Sequence, residues 1–479
     1  MRIAFVQGPP VGGIASGYLV HEPLNLIGLA TAARDLADAE VQVWDYQVVP
    51  YSDADLLNRI DTFKPDIVGL TAMTSQVRSA AAMAETIKQH RPGITTIVGG
   101  QHPTALPQRT LEQFPAFDIA VIGEGEQTVS QLCRDIPRGR IPGLAIRIDG
   151  KIMETQAADR VENLDEVPIP DRDIVDRALY RRGPVVLGVD RSFANPITVN
   201  LSRGCPFCCD FCSANIVYGR KVRFRSIENI EREIHHCVER YGINHVSIND
   251  SLFTFRRSFT EQVAELFARY GLTWDCRARA DEMDRDFAHF LAQHGCIKVF
   301  MGSEAGTQRV LNLINKELSV EQIEAAFAYT KEAGIIRGTQ FVVGAHPSQT
   351  EAEVMESLAL AKRIDPEYCS FSIIMPLPGT RSYELFDEQG LFLTNRENWD
   401  AFVFYGGRPA WRTEHLSPDD LVRLQKRCML SFYMRPGYLW RRLRIEAGAG
   451  RLGYHLRSAW TLARFAVERR LRITRTSDE

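Results

Sequence analysis

The sequence predicts an α/β chain: two regions of alternating strands and helices in series, closed by a mainly helical extension. Three observations predict it. Short apolar runs rich in β-branched residues alternate with helix-period segments from residue 1 to about 140. The same alternation resumes from 196 to about 390, and beyond 390 it stops. Strand alternating with helix implies mostly parallel sheets covered by helices. At 479 residues the chain is long enough for two or three domains with buried cores.

In the first region, strands are expected at Ile3–Val6, Val41–Trp44, Ile67–Leu70, Thr95–Val98 and Ile119–Ile122, and helices over Leu24–Leu36 and Val77–Lys88. A ligand of such a sheet sits outside the carboxyl ends of the strands, near the point where strand order reverses. Those ends carry Gly8-Pro-Pro-Val-Gly-Gly13, Thr71-Ala-Met-Thr-Ser75, Val98-Gly-Gly100 and Gly123-Glu-Gly-Glu126. Glycine lets backbone approach a large ligand closely. Each glycine alone is accounted for by a tight turn; the set marks a binding edge. His21 and His102 are read as incidental polar or structural residues.

A connector follows. Ala145–Met153 reads as a hairpin with Asp149-Gly150 as its two-residue turn. The prolines of Leu164–Asp171 suit an extended linker. A domain boundary is expected near residue 195.

In the central region, strands are expected at Ile197–Leu201, His245–Asn249, Thr273–Arg277, Lys298–Met301, Thr339–Val343 and Ser370–Met375. The helix after the first of them should start at Ser226, an N-cap residue, with Ile227, Ile230, Ile234 and Val238 at helical spacing. Six such units make a partial (β/α)6 barrel, whose chemistry belongs on loops at the carboxyl ends of its strands.

One of those loops holds four of the ten cysteines, in Cys205-Pro-Phe-Cys-Cys-Asp-Phe-Cys212. Read as C-x3-C-x2-C, it offers Cys205, Cys209 and Cys212 as thiolates for three irons of a cubane cluster, leaving the fourth iron open. Electron-transfer clusters fill all four corners with cysteine. The octet also contains two abutting C-x2-C pairs, a possible structural zinc site. Zinc pairs are usually separated by a longer loop, and adjacent Cys208 and Cys209 converge awkwardly on one ion. A fourth cluster ligand at Cys208 meets a similar difficulty, so Cys208 is read as a bystander. The six scattered cysteines (Cys133, Cys237, Cys276, Cys296, Cys369, Cys428) fit free thiols in a reducing compartment.

These motifs resemble a known family. Residues 1–140 resemble the cobalamin-binding, Rossmann-like domain found ahead of many radical SAM enzymes. The mutase-type Asp-x-His-x-x-Gly motif is missing from the first loop, so the resemblance implies cobalamin without a lower histidine ligand. It places Thr71, Ser75, Gly99, Gly100, Gly123, Glu124 and Gly125 against the cobalamin. Arg203–Cys212, with aromatic Phe211 before the last cysteine, resembles the opening motif of the radical SAM superfamily. That implies a [4Fe-4S] cluster on Cys205, Cys209 and Cys212, with S-adenosyl-L-methionine (SAM) on the open iron and reductive cleavage to a 5′-deoxyadenosyl radical. Glu304, in Gly302–Gly306, is then expected at the polar part of SAM. Gly344 brings backbone to the adenine, and Asn249 with Asp250 holds the methionyl amine. Pro376–Thr380 ends strand six as it does in cobalamin-linked members. Each of these is also an ordinary turn or cap residue.

The boundaries read in this way are 1–140, 141–195, 196–390 and 391–479. In the last segment a helix is expected from Trp411 to Met434, started by Ser417-Pro-Asp-Asp420. Arginine is dense from Arg435 onward, in Trp440–Arg444 and Glu468–Arg472, with Trp440, Tyr454, Trp460, Leu462 and Phe465 interleaved. Such a helix packs on its own protein with a solvated basic face, or lies on an anionic membrane.

The formal charge of −3 gives no electrostatic case for a nucleic-acid partner. Met1–Val6 reads as a strand and not as a secretory segment, and no apolar run is long enough to span a bilayer. A cytoplasmic enzyme is expected, with peripheral membrane contact as the option its basic tail leaves open. Its partners would be a small-molecule or lipid-like substrate and an electron donor such as flavodoxin or ferredoxin. The resemblance implies C-methylation of an unactivated carbon: one SAM provides the methyl group through cobalamin, and a second provides the radical. The alternatives are a non-methylating oxidative cyclase or rearrangement enzyme and, in another class, a non-enzymatic cobalamin or iron–sulfur sensor. No catalytic side chain is assignable from the sequence.

Overall fold

The computed structural model describes residues 1–11, 21–134, 136–182, 195–402 and 407–448. Gly12 and Gly13 of the first loop lie outside them, as do residues 183–194 just ahead of the expected boundary, Tyr454, Trp460, Leu462, Phe465 and Glu468–Arg472. Two compact units are present, Met1–Gln425 and Lys426–Glu479.

The first unit contains two main sheets. Strands β1 (Arg2–Gln7), β2 (Glu40–Asp45), β3 (Ile67–Thr71), β4 (Thr95–Gly99), β5 (Ile119–Val121), β6 (Leu144–Ile148) and β7 (Lys151–Glu154) pair in the order β2-β1-β3-β4-β5-β6-β7. The first five are parallel and β6 and β7 antiparallel. Strand order reverses between β1 and β3, so a crevice opens where their carboxyl ends diverge. Ile3, Phe5, Ile67, Ile97 and Ile119 pack with Leu26, Ala30 and Ala33 of the helix Leu24–Ala37. The hairpin turn is Asp149 (φ 49°) and Gly150 (φ 75°), both left-handed as a tight type I′ turn demands.

The second main sheet is wholly parallel. Strands β8 (Pro196–Val199), β11 (His245–Ile248), β12 (Thr273–Ala278), β13 (Cys296–Glu304), β14 (Ile336–Val343) and β15 (Tyr368–Ile373) lie side by side in that order. Six strands with helices between them form the expected partial barrel. Ser226 caps the first long helix, Ile227–Tyr241, by accepting from the Asn229 N–H at 3.1 Å, and left-handed Gly242 ends it. Between β8 and that helix, β9 (Ser202–Arg203) and β10 (Arg223–Phe224) form a short antiparallel ladder.

Two expectations need correction. The segment after the hairpin is not a simple extended linker: it contains 3-10 turns at Leu164–Glu166 and Arg172–Ile174, and its Arg172 is 2 % exposed. That guanidinium donates to Glu233 (2.7 Å) and to the Thr198 carbonyl (2.7 Å) and lies 3.2 Å from Glu22. The late helix runs Pro418–Tyr433 and does not begin at Trp411. Thr413 and Leu416 exchange hydrogen bonds in a turn, and Trp411 is buried in a bridge to Phe392, so the helix starts only at proline. Ser417 accepts from the Asp420 N–H as expected.

In the second unit the described residues end the helix Pro418–Tyr433 and form the helix Pro436–Gly448. Leu430, Met434, Leu439, Trp440 and Leu443 are all exposed, by 40 % or more. Among the described residues no helix is long and apolar enough to cross a membrane.

Candidate active site

A cavity of about 290 Å³ opens at the carboxyl ends of β1, β3, β4 and β5. Its floor is apolar: Phe5, Leu26, Leu29, Ile97, Val121 and Val129. Its rim is largely backbone, with Thr71, Gly99, Gly100, Gly123, Glu124 and Gly125. Gly100 (φ 114°) is forced, because a Cβ there would stand 2.8 Å from the Ala72 carbonyl. Gly123 (φ 79°) has open space where a Cβ would point. A glycine-rich rim over an apolar floor suits a broad, amide-fringed macrocycle such as a corrin. Among the described residues the lining contains no histidine.

His102 and Ser75 are both removed from this cavity. His102 is fully buried against Trp399 (4.8 Å, edge-on), with Nδ1 3.3 Å from the Thr74 hydroxyl, and burial lowers its pKa to about 4. His21 reaches the Thr198 hydroxyl at 3.1 Å, and burial lowers its pKa too. Ser75, expected on the cobalamin, lies in the 3-10 turn Thr74–Gln76 and does not line the cavity. Glu124 does line it, but both its oxygens are taken by arginines, at 2.5 Å from Arg223 and 2.9 Å from Arg203.

The cavity continues into the barrel domain, since Asn200, Arg203, Val217 and Tyr218 line it as well. Val217 and Tyr218 belong to the cysteine loop, residues 204–222, which the β9–β10 ladder closes at its neck. Cys212 feels the charge of Cys205, and Cys209 that of Cys212. Burial pushes the Cys205 and Cys209 thiols up, Cys209 to about 11, and Lys316 opposes the shift in both. The unloaded thiols are therefore protonated near neutrality, and any metal centre must displace those protons. Among the described residues no three His, Cys, Asp or Glu side chains gather closely enough to hold one metal ion.

Long-range contacts hold the loop in place. Asn315 (φ 52°) donates to the Cys208 carbonyl at 2.9 Å, and the Asp210 N–H donates to the Ile314 carbonyl at 3.1 Å. The Ser382 N–H donates to the Asp210 carbonyl at 2.9 Å. Glu304 (φ 63°) pairs with Lys316 at 3.1 Å, both buried, and both act on the charge of Cys209 and Cys212. Lys316 and Arg279, absent from the sequence-level expectations, thus border the cysteines.

The other residues expected at SAM make the following contacts within the protein. Asp250 is buried, its two oxygens accepting from the Leu201 N–H (2.8 Å) and the Ser202 hydroxyl (2.6 Å), so it fixes the corner ahead of the cysteines. Burial raises its pKa to about 6. Asn249 is exposed, and its Oδ1 accepts from Arg277 at 3.0 Å. Gly344 (φ 74°) admits close packing, since a Cβ there would meet Leu421 at 2.8 Å and Thr413 at 3.2 Å.

Two family models match this arrangement, the B12 binding domain over residues 11–133 and the Radical SAM superfamily over 199–361. An uncharacterized methyltransferase of Pyrococcus horikoshii is 30 % identical over 423 residues, which cover 87 % of this chain and 89 % of that protein. The chain belongs to the cobalamin-binding radical SAM family. It is therefore a radical SAM enzyme, and the sensor alternative is set aside. An anaerobic magnesium-protoporphyrin IX monomethyl ester cyclase of Rubrivivax gelatinosus is 31 % identical, over 71 % of this chain and 61 % of its own length. Among solved structures, the radical SAM methyltransferase TsrM of Kitasatospora setae, with cobalamin and a [4Fe-4S] cluster bound, superposes with a TM-score of 0.68. That match has 19 % identity and covers 81 % of this chain and 78 % of TsrM, and it shows the shared fold.

Proposed function

We propose that the chain is a cobalamin-dependent radical SAM C-methyltransferase acting on a small molecule. The observation that carries this reading is the shared wall: the glycine-rimmed cavity is lined by Arg203, Val217 and Tyr218, the strand before the cysteines and the loop that holds them. Cys205, Cys209 and Cys212 would hold the [4Fe-4S] cluster. Glu304 and Lys316 would hold the methionyl head of SAM, and Thr71, Gly99, Gly100, Gly123 and Gly125 would border cobalamin. Bound there, the cluster with SAM supplies a substrate radical and the cobalamin a methyl group. The protein's own part is to position these groups, exclude water and tune charge. Residues 1–140, 141–195, 196–390 and 391–479 would serve as cobalamin domain, hairpin and linker, barrel and extension, with the reducing electron drawn from flavodoxin or ferredoxin.

The second reading, an oxidative cyclisation or rearrangement, is favoured by the identity to the cyclase. Anaerobic turnover of the cofactor-loaded enzyme with SAM and candidate substrates from its genomic neighbourhood separates the two. S-adenosylhomocysteine, 5′-deoxyadenosine and a methylated product together support methyl transfer. 5′-Deoxyadenosine with an unmethylated, cyclised or rearranged product overturns it.

The exposed apolar residues of the second unit alternate with Arg435, Arg441, Arg442 and Arg444. Lys426–Glu479 holds thirteen Lys and Arg against four Asp and Glu. We propose an anionic bilayer surface as its partner. The full chain should sediment with phosphatidylglycerol vesicles, release at high salt, and ignore phosphatidylcholine. A salt-insensitive dimer in place of lipid binding refutes this.

A further inference from the structure

Glu124 stands in the loop that follows β5 and borders the cavity, but its carboxylate is spent on the other domain. Nη2 of Arg223 donates to Oε1 at 2.5 Å and Nη1 of Arg203 to Oε2 at 2.9 Å. Those arginines face each other across the β9–β10 ladder, the neck of the cysteine loop. The side chains of Glu124 and Arg223 are only 4 % and 2 % exposed. Arg203 turns its other terminal nitrogen to Glu126 at 2.5 Å, so a buried pair is joined by a second, partly buried cation and anion. Arg223 also donates to the carbonyls of Val161 (2.6 Å) and Tyr218 (3.2 Å).

The neck has no slack. At Gly204 (φ 104°) a Cβ would stand 2.3 Å from the Lys221 carbonyl oxygen, so the two ends of the loop touch through backbone. Moving the cavity rim without the neck would part a buried ion pair and leave uncompensated charge in the interior, which is strongly unfavourable. Rim and neck must therefore shift together. The rim answers to whatever fills the cavity, and the neck sets the entry and exit of the segment carrying Cys205, Cys209 and Cys212.

We infer that Glu124 is a positioning residue that couples the two cofactor sites, so that cobalamin in the cavity tightens SAM binding at the cysteine loop. This rests on the cobalamin and SAM assignments of the proposed function. By thermodynamic linkage SAM must tighten cobalamin by the same factor, and couplings between sites commonly amount to about 5-fold or more.

The test uses the full chain with its cluster reconstituted anaerobically. The SAM dissociation constant is measured by equilibrium dialysis with and without hydroxocobalamin, and that of hydroxocobalamin with and without SAM. Wild type should show equal mutual tightening of about 5-fold or more. Glu124→Gln should bring the factor close to one. Glu124→Asp keeps the charge balance, and with it the fold, but shortens the reach, and should lower the factor as well. Iron content and thermal midpoint should stay near wild type in Glu124→Asp, which a general loss of structure would not allow. Mutual tightening absent from wild type, or undiminished in both variants, overturns the coupling while leaving the cofactor assignments standing. A wild type that binds no cobalamin at all removes the assignment beneath it, and the inference with it.

Discussion

The Arg279 guanidinium lies over the ring of Phe207, 3.6 Å from its centroid, and donates to the carbonyls of Lys316 (2.9 Å) and Glu317 (2.7 Å). One side chain at the end of β12 thus clamps the second residue after Cys205 to the loop that presents Lys316. Arg279→Ala removes a desolvated cation–π contact and orphans buried carbonyls, together about 3 kcal/mol of support for the loop. The expected outcome is iron content well below four per chain after reconstitution, with hydroxocobalamin uptake little changed. Full iron content in the variant would refute the clamp.

The four cysteines of the octet should behave unequally. Cys205→Ala, Cys209→Ala or Cys212→Ala should take reductive SAM cleavage to background and abolish the broad absorption of the cluster near 400 nm. Cys208→Ala should keep both, because its neighbours bind this segment through the Cys208 carbonyl and not the thiol. Equal loss at all four positions would reinstate a four-thiolate site.

Asp250 gives a pH signature. Its folded pKa, about 6, is above the ordinary 3.8, so its protonated form suits the fold better than its charged form. The associated stability is complete below about pH 4 and disappears as pH rises through about 6. Asp250→Asn keeps acceptors and donors for Leu201 and Ser202 without the charge. It should raise stability at pH 7 by up to about 3 kcal/mol and leave it unchanged near pH 4. Urea unfolding at both pH values checks this; a variant less stable at pH 7 would show that the charge itself is needed.

Arg172→Met should destabilise the unit Met1–Gln425 by about 3–5 kcal/mol, because it leaves Glu233 and Glu22 with buried, partly unpaired charge. A fall in thermal midpoint without loss of secondary structure at low temperature is the expected readout. A change below 1 kcal/mol would mean that water reaches the network.

Gly344→Ala forces a side chain into left-handed backbone and onto Leu421, 2.8 Å away. A loss of about 1–3 kcal/mol is expected. SAM affinity separates packing from an adenine role: packing alone leaves it unchanged.

The fold was legible because its strands are short β-branched runs and its helices carry clear stripes and caps; Ser226 and Ser417 cap where the pattern puts them. The cysteines were legible because their spacing is local. Lys316 and Arg279 were not. Each reaches the cysteines only by folding from more than 60 positions away, and nothing near them in sequence marks the destination. Asp250 and Glu124 were placed on the correct loops, but a carboxylate beside a ligand edge looks the same in sequence whether it faces the ligand or an arginine. Ser75 shares its segment with Thr71 and Met73 of the lining but stands in the turn Thr74–Gln76, a difference of backbone path that the residue types do not signal. The helix at 411 was over-extended because Trp411 has an apolar, helix-compatible character that a bridge to Phe392 claims instead.

Arg172 bears on how such enzymes are recombined. It is threaded from a stretch that separates two recognisable cassettes, and its guanidinium lies 3.2 Å from the Glu22 carboxylate of one and donates to Glu233 and the Thr198 carbonyl of the other. A chimera joined near residue 195 would inherit half of that contract. Swapping either cassette is then a matter of transplanting matched sets, in which an arginine travels with the two glutamates that receive it.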